Sequence, residues 1–328
     1  MKTPSAAMSP EMQQIARRMP KFSMNARSVR FSRRIMRWMT RTPRWALEIF
    51  TRLLMKSPLS LSDIQIRDIF IAGQDGAQIR LRVYQPRAPL TKAPALLWMH
   101  GGGYVMGVPE QDDIYVLPFI REVGLVVVSV DYRLAPDYPF PVPLEDCYAA
   151  LQWMTDQAEI PGIDPERIAI GGSSAGGGLA AALAQVAHDR GEIHPVLQLL
   201  IYPMLDDRTG ARKDIEPKAH IVWNNTSNQF GWEAYLGQPC GAETAPIGSV
   251  PARRANLAGL PPTWIGVGTN DLFYNEAAAY ARRLSEAGVP CELVSVPGAF
   301  HGFDLFAPEM QAVRDFRQAQ IVALKKGL

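Results

Sequence analysis

The stretch that decides the fold is Arg167-Ile168-Ala169-Ile170-Gly171-Gly172-Ser173-Ser174-Ala175-Gly176-Gly177-Gly178-Leu179-Ala180-Ala181-Ala182-Leu183-Ala184. It reads as a short apolar strand, a tight glycine turn and a helix, with a serine at the apex. That is the setting a G-x-S-x-G nucleophile elbow requires. Flanking side chains would collide with the strand and helix in so sharp a turn, and the serine backbone is forced into strained φ/ψ space. The turn aims Oγ outward and leaves the next N–H at a helix N-terminus, where a developing anion is stabilised. Gly172-x-Ser174-x-Gly176 fits the pattern, whereas a register centred on Ser173 ends on Ala175. Ser174 is therefore the candidate nucleophile, and the turn demands an acid and then a histidine further along the chain.

Of five histidines, His100 precedes the serine, and His188 and His194 lie in or just beyond the helix leaving the elbow. His220 falls in an irregular segment. His301, in Pro297-Gly298-Ala299-Phe300-His301-Gly302-Phe303, follows the strand candidate 291–296 and is the one well placed as a base. The acid falls between: Asp271, in Gly268-Thr269-Asn270-Asp271-Leu272, ends the strand candidate 263–267. One helix and one strand separate Asp271 from His301, a single crossover that sets both on neighbouring strand ends. Asp206 and Asp207, which also follow a strand candidate, are the competitors.

A second glycine string, His100-Gly101-Gly102-Gly103-Tyr104, follows the strand candidate ending at Met99. Its unobstructed N–H groups, with that of Ala175, can converge on one oxygen as an oxyanion hole. Neither G-x-G-x-x-G nor G-x-x-x-x-G-K-[ST] occurs in it, which sets aside a nucleotide loop. His100 is read as a brace for the loop.

Working outward, the continuous apolar runs 95–99 and 125–130 have strand length, and Ile79, Leu81 and Val83 alternate with polar residues. Further strands are expected at 167–171, 196–201, 263–267 and 291–296. Helices are expected at about 144–158, 176–189, 276–287 and 308–325. Alternation of this kind predicts an α/β fold, a parallel sheet covered by helices on both faces. The interval 204–250 breaks the rhythm with Trp223, Phe230, Trp232 and Tyr235 but no clean strand. Insertions at strand C-termini lie over the binding crevice of open α/β sheets, so it is read as a helical lid. The expected organisation is a cap from 1–57 and 204–250 over a core from 58–203 and 251–328.

Composition is that of an ordinary globular protein: 328 residues, 47% hydrophobic and 20% charged. Cys147, Cys240 and Cys291 are few, odd in number and widely spaced. They fit neither a disulfide framework nor a zinc site, and a reducing, cytoplasmic compartment is expected. No apolar run has the length of a membrane span, and no secretory signal is apparent. Net charge is only +2, but residues 1–60 carry thirteen Lys/Arg against Glu11 and Glu48. Such a segment fits a transit sequence, a membrane-surface helix or a nucleic-acid arm. Its apolar spacing through Phe31, Ile35, Trp38 and Met39 favours a helical subdomain packed on the more acidic body.

Four blocks together resemble the hormone-sensitive-lipase-like (bacterial family IV) carboxylesterases of the α/β-hydrolase fold. They are His100–Tyr104, Asp131-Tyr132-Arg133-Leu134-Ala135-Pro136, the Ser174 elbow, and the Asp271 and His301 loops. The resemblance implies a Ser174–His301–Asp271 triad, oxyanion donors at Gly102, Gly103 and Ala175, and a helical cap. It also implies that Asp131 and Arg133 hold a structural loop. This chain departs from the usual pattern in having Ser173 where Asp or Thr precedes the nucleophile, Leu272 for a frequent proline, and Asn275 before Glu276. The implied activity is hydrolysis of small, short-to-medium acyl esters. Tyr104, Met36, Trp38 and Trp223 are the candidates for lining the pocket, and no metal or organic cofactor is expected. Amide, lactone or acetyl-conjugate hydrolysis by the same groups stays open, as does a non-catalytic binding protein. The expected partner is a small-molecule ester, with neither nucleic acid nor stable membrane insertion, and a homodimer is left open.

Overall fold

The computed structural model describes residues 8–18, 25–32, 61–88, 91–156, 162–216 and 220–328. Eight strands form one sheet: β1 (Ile64–Ala72), β2 (Gln78–Pro86), β3 (Ala93–Met99), β4 (Val126–Asp131), β5 (Ile163–Ser173), β6 (Leu197–Ile201), β7 (Thr263–Gly268) and β8 (Cys291–Val296). Their order is β1-β2-β4-β3-β5-β6-β7-β8. β1 and β2 pair antiparallel, as do β2 and β4, and all pairs from β4 through β3 to β8 are parallel.

The helices are α1 (Pro10–Arg18), α2 (26–32), α3 (Asp113–Val123), α4 (Val142–Asp156), α5 (Ala175–Arg190), α6 (Asn225–Leu236), α7 (Tyr274–Glu286), α8 (Phe303–Phe306) and α9 (Gln311–Gly327). Buried runs such as Leu96-Leu97-Trp98-Met99 and Val126-Val127-Val128 form the centre of the sheet, covered on both faces as continuous apolar strands require. Met12 and Ala16 of α1 and Val29 of α2 join that core.

Pairing fixes where the loops end. Met99 stands opposite Gly172, Ser173 opposite Ile201, and Gly268 opposite Val296. The segments that follow β3, β5, β7 and β8 therefore leave the same edge of the sheet. Asp131 and Arg133, for which the resemblance implies a structural loop, are both ion-paired: Asp131 with Arg80, which also binds Glu110 and Asp68, and Arg133 with Asp146 and Asp75.

Neither β1 nor α3 had a sequence expectation. β1 is the outermost strand, half exposed on both faces, and its isoleucines change phase around Asp68. α3 carries Pro118 inside it. Among the described residues of the inserted interval 204–250, the regular structure amounts to α6 and a turn of 3-10 helix at Asp207–Thr209.

Candidate active site

Ser174 stands between β5 and α5 with φ 55° and ψ −117°, a strained conformation for a residue with a side chain. The surroundings over-determine it. Its N–H donates to Ile201 O (2.9 Å), and its carbonyl accepts from Gly178 N and Met204 N, both at 3.0 Å. It occupies the N-cap of α5 but makes no cap bond with its side chain, which leaves Oγ for another partner. Close packing explains the glycine at 176: a methyl group there would lie 2.0 Å from Met99 O and 2.6 Å from His100 O. The elbow thus sits directly against the His100–Tyr104 loop.

That partner is His301, whose Nε2 lies 2.9 Å from Ser174 Oγ, while its Nδ1 lies 2.8 Å from Asp271 Oδ2. A carboxylate can only accept, so Nδ1 carries the proton and Nε2 is the acceptor for the serine hydroxyl. Phe273 N donates to the other oxygen of Asp271 (2.9 Å), which holds the carboxylate in place. The loops bearing the acid and the base are laced together. Thr269 N donates to Val296 O, Asn270 N to Ala299 O, and Gly298 N to Thr269 Oγ1. Tyr202 and Phe273 meet the His301 ring edge-on, at 4.7 and 5.2 Å between centroids. Ser174, His301 and Asp271 are all buried.

The glycine loop is held from several sides. Its Gly102 carbonyl accepts from Val105 N and Met106 N. His100 stacks on Tyr132 at 4.3 Å, and Tyr132 Oη donates to His100 O (2.7 Å). His100 Nδ1 is 2.8 Å from Gly101 O and must be the donor there; burial holds the imidazole below its ordinary pKa. The brace expected of His100 is what these contacts amount to. Ala175, first residue of α5, has an N–H with no partner inside the helix. Gly102, Gly103 and Ala175 thus come from abutting segments.

Trp223 lies on Gly103, where a methyl group would stand 2.1 Å from its ring. It is held there by a γ-turn in which Trp223 N donates to Ile221 O (2.8 Å) across Val222. Val222 has φ +66°, an outlier for a β-branched residue. Tyr104 corrects the sequence expectation. Its ring is 1% exposed, stacks on Tyr235 at 4.2 Å and donates its hydroxyl to Met204 O, so it packs the glycine loop against α6 rather than facing a pocket. Met36 and Trp38 lie outside the described residues. Asp207 is bound by Arg253 and Gly241 N, and Asp206 caps the 3-10 turn, so neither competitor acid reaches His301.

One residue beneath the elbow, Asp112, had no expectation attached. Asp112 is buried and accepts from Trp98 Nε1 (2.7 Å) and Ser173 Oγ (3.3 Å), and burial pushes its carboxyl up to about 7. The available signal was Trp98: a buried indole N–H seeks an acceptor. Among the described residues no group of His, Cys, Asp and Glu could hold a metal ion, and no helix is long and apolar enough to cross a membrane.

An eight-stranded, mostly parallel sheet with a strained serine turn, a histidine and a carboxylate at one edge defines a serine hydrolase of the α/β-hydrolase type. Residues 96–305 match the family described as alpha/beta hydrolase fold. The carboxylesterase NlhH of Mycobacterium tuberculosis is 34% identical over 279 residues, 84% of this chain and 87% of that protein. The ethyl acetate hydrolase of Pseudomonas putida is 34% identical over 247 residues, 73% and 75% of the two chains. Among solved structures, a bacterial heroin esterase superposes with a TM-score of 0.85 at 34% identity, covering 98% of both chains. Esterase LipW from Mycobacterium marinum gives 0.83 at 33%, covering 98% and 96%. The chain belongs to the hormone-sensitive-lipase-like (family IV) branch of the α/β-hydrolases, and it is an enzyme of the carboxylesterase type.

Proposed function

We propose that the chain hydrolyses small, short-to-medium acyl esters through a Ser174–His301–Asp271 triad and an acyl-enzyme. The observation that carries this reading is the continuous hydrogen-bonded line from Ser174 Oγ through His301 to Asp271 Oδ2. Neutral His301 takes the serine proton at Nε2 as Oγ attacks the ester carbonyl. Asp271 orients the ring and stabilises the imidazolium, which then protonates the leaving alcohol. The N–H groups of Gly102, Gly103 and Ala175 stabilise the tetrahedral anion, and water activated by His301 releases the acid. This chemistry needs no metal or organic cofactor.

The relative named for ethyl acetate supports the short end of the acyl range. So does the position of Trp223 on Gly103, which narrows the space beside the serine. In this reading 204–250 and 1–57 form a cap over a core of 58–203 and 251–328. Its partner is a small-molecule ester, and it works in the cytoplasm. Ser174→Ala is expected to abolish hydrolysis of p-nitrophenyl butyrate with the melting temperature kept, and a phosphonate should label Ser174 in the parent alone. Near-normal turnover by Ser174→Ala would overturn the assignment.

A further inference from the structure

The proposed oxyanion donors belong to two segments far apart in sequence, one after β3 and one after β5. The sheet aligns these strands only as far as Met99 and Gly172, where the ladder stops. Beyond that point something else must hold the Gly102–Gly103 loop and the Ser174 turn in register, because donors misplaced by about half an ångström lose much of their effect.

One pair of adjacent side chains reaches both segments. Gln111 donates from Nε2 to Gly101 O (3.1 Å), and its Oε1 accepts from Val108 N (3.3 Å). Its neighbour Asp112 accepts from Ser173 Oγ, next to the nucleophile, and from Trp98 Nε1 at the end of β3. Ser173 Oγ in turn lies beneath the glycine loop, 3.0 Å from where a methyl group on Gly101 would be. Asp112 is 3% exposed, and both donors are neutral. A carboxyl buried among neutral partners is costly to keep, so packing alone is a poor account of it.

We propose that Asp112 and Ser173 are positioning residues for the ester hydrolysis assigned above. The Asp112 carboxyl holds the Ser173 hydroxyl while Gln111 holds the Gly101 carbonyl. Together they fix the Ser173–Ser174 peptide, and with it the Ala175 N–H, against the Gly102–Gly103 loop. Neither side chain touches the substrate. Their loss therefore lowers turnover and leaves substrate affinity nearly unchanged.

The inference rests on Ser174 being the nucleophile, and the test separates the two. Full-length Ser173→Ala, Ser173→Thr, Asp112→Asn and the Ser173→Ala/Asp112→Asn double variant are compared on p-nitrophenyl butyrate. The rate of inactivation by diethyl p-nitrophenyl phosphate is followed in parallel. Ser173→Ala is expected to lose about tenfold to a hundredfold in kcat, with KM little changed and inactivation slowed in proportion. Ser173→Thr, which keeps the hydroxyl, should restore most of the rate, and the double variant should be no slower than the slower single one. The idea fails if Ser173→Ala turns over at the parental rate, if its loss appears in KM, if Thr restores nothing, or if the two losses multiply. Should Asp112→Asn not fold, the comparison of Ala with Thr at position 173 decides alone. Activity surviving in Ser174→Ala sinks the esterase reading itself; a dead Ser174→Ala beside a fully active Ser173→Ala sinks only the positioning role.

Discussion

At Gly103 any added side chain and the ring of Trp223 would occupy one volume. Its φ of +61° is unfavourable for any side chain, and a methyl group would overlap the indole. Gly103→Ala must therefore displace either the loop or Trp223. We expect kcat to fall by about a hundredfold or more, the scale seen when an oxyanion donor is lost. Steady-state kinetics with a thermal melt checks this, and wild-type turnover in a folded Ala variant would show that the Gly103 N–H takes no part. Asp112 supports a separate prediction. Burial raises its carboxyl from 3.8 to about 7, with Asp113 on the neighbouring position adding to the effect. The folded state therefore holds the proton more tightly than the unfolded chain. The resulting stabilisation is complete below about 3.8 and is lost as pH rises through about 7. By linkage it amounts to at most about 4 kcal/mol. Urea unfolding of the parent and Asp112→Asn across that range should show the parent's advantage shrinking with pH, whereas a constant difference would contradict the raised value. The meeting of Ser174, His301 and Asp271 was legible because each follows a strand in a glycine-marked loop. Asp112 was not, since its partners Trp98 and Ser173 lie on two strands distant in sequence and meet it only through folding.

The element that joins core to insertion is α7, through its first turn. Glu276 is buried there and accepts from Leu205 N (2.7 Å), Asp206 N (3.3 Å) and Thr209 Oγ1 (2.5 Å). Burial holds its carboxyl well above the usual range. Replacing it by Ala strands the backbone donors of the chain just after β6, and an orphaned buried donor costs about 1–3 kcal/mol. We expect Glu276→Ala to lose about that much stability, and Glu276→Gln, which keeps an acceptor oxygen, to lose less. Denaturant midpoints at neutral pH measure both, and equal losses would show that volume rather than hydrogen bonding matters. Because Met204 N also donates to Ser174 O, the Ala variant should lose turnover as well. Strong periodicity made most elements readable: 263–267 and 291–296 emerge as β7 and β8 nearly unchanged, and 176–189 as α5. β1 escaped because an edge strand with two half-wet faces has no single phase of alternation. α3 escaped because Pro118 within an apolar run reads as an interruption.

At the scale of the whole molecule, the inserted segment packs directly on the glycine loop beside the serine. α6 lies over the glycine loop through the Tyr104–Tyr235 stack, and the chain entering α6 drops Trp223 onto Gly103. Aromatic content marked the segment as a lid in sequence and singled out Trp223, but gave no sign that Tyr235 would stack on Tyr104. Tyr104 and Tyr235 pair because both are buried by the same helix, a tertiary fact without local signature. The strained turn at Val222 is paired with that placement: a β-branched residue at positive φ is unfavourable, so the surrounding packing must hold it. If Trp223 limits the acyl chain, turnover of the parent on p-nitrophenyl esters should peak between acetate and hexanoate and fall steeply by decanoate. Trp223→Ala removes the ring and should move the peak to longer chains, raising the decanoate-to-butyrate ratio in kcat/KM by about tenfold or more, as expected when a pocket gains several methylenes of depth. A pocket bounded elsewhere predicts an unchanged ratio with a uniformly lower rate. A parental maximum on emulsified palmitate would mean that the lid leaves an open lipid-binding face, and the short-acyl reading would have to be abandoned.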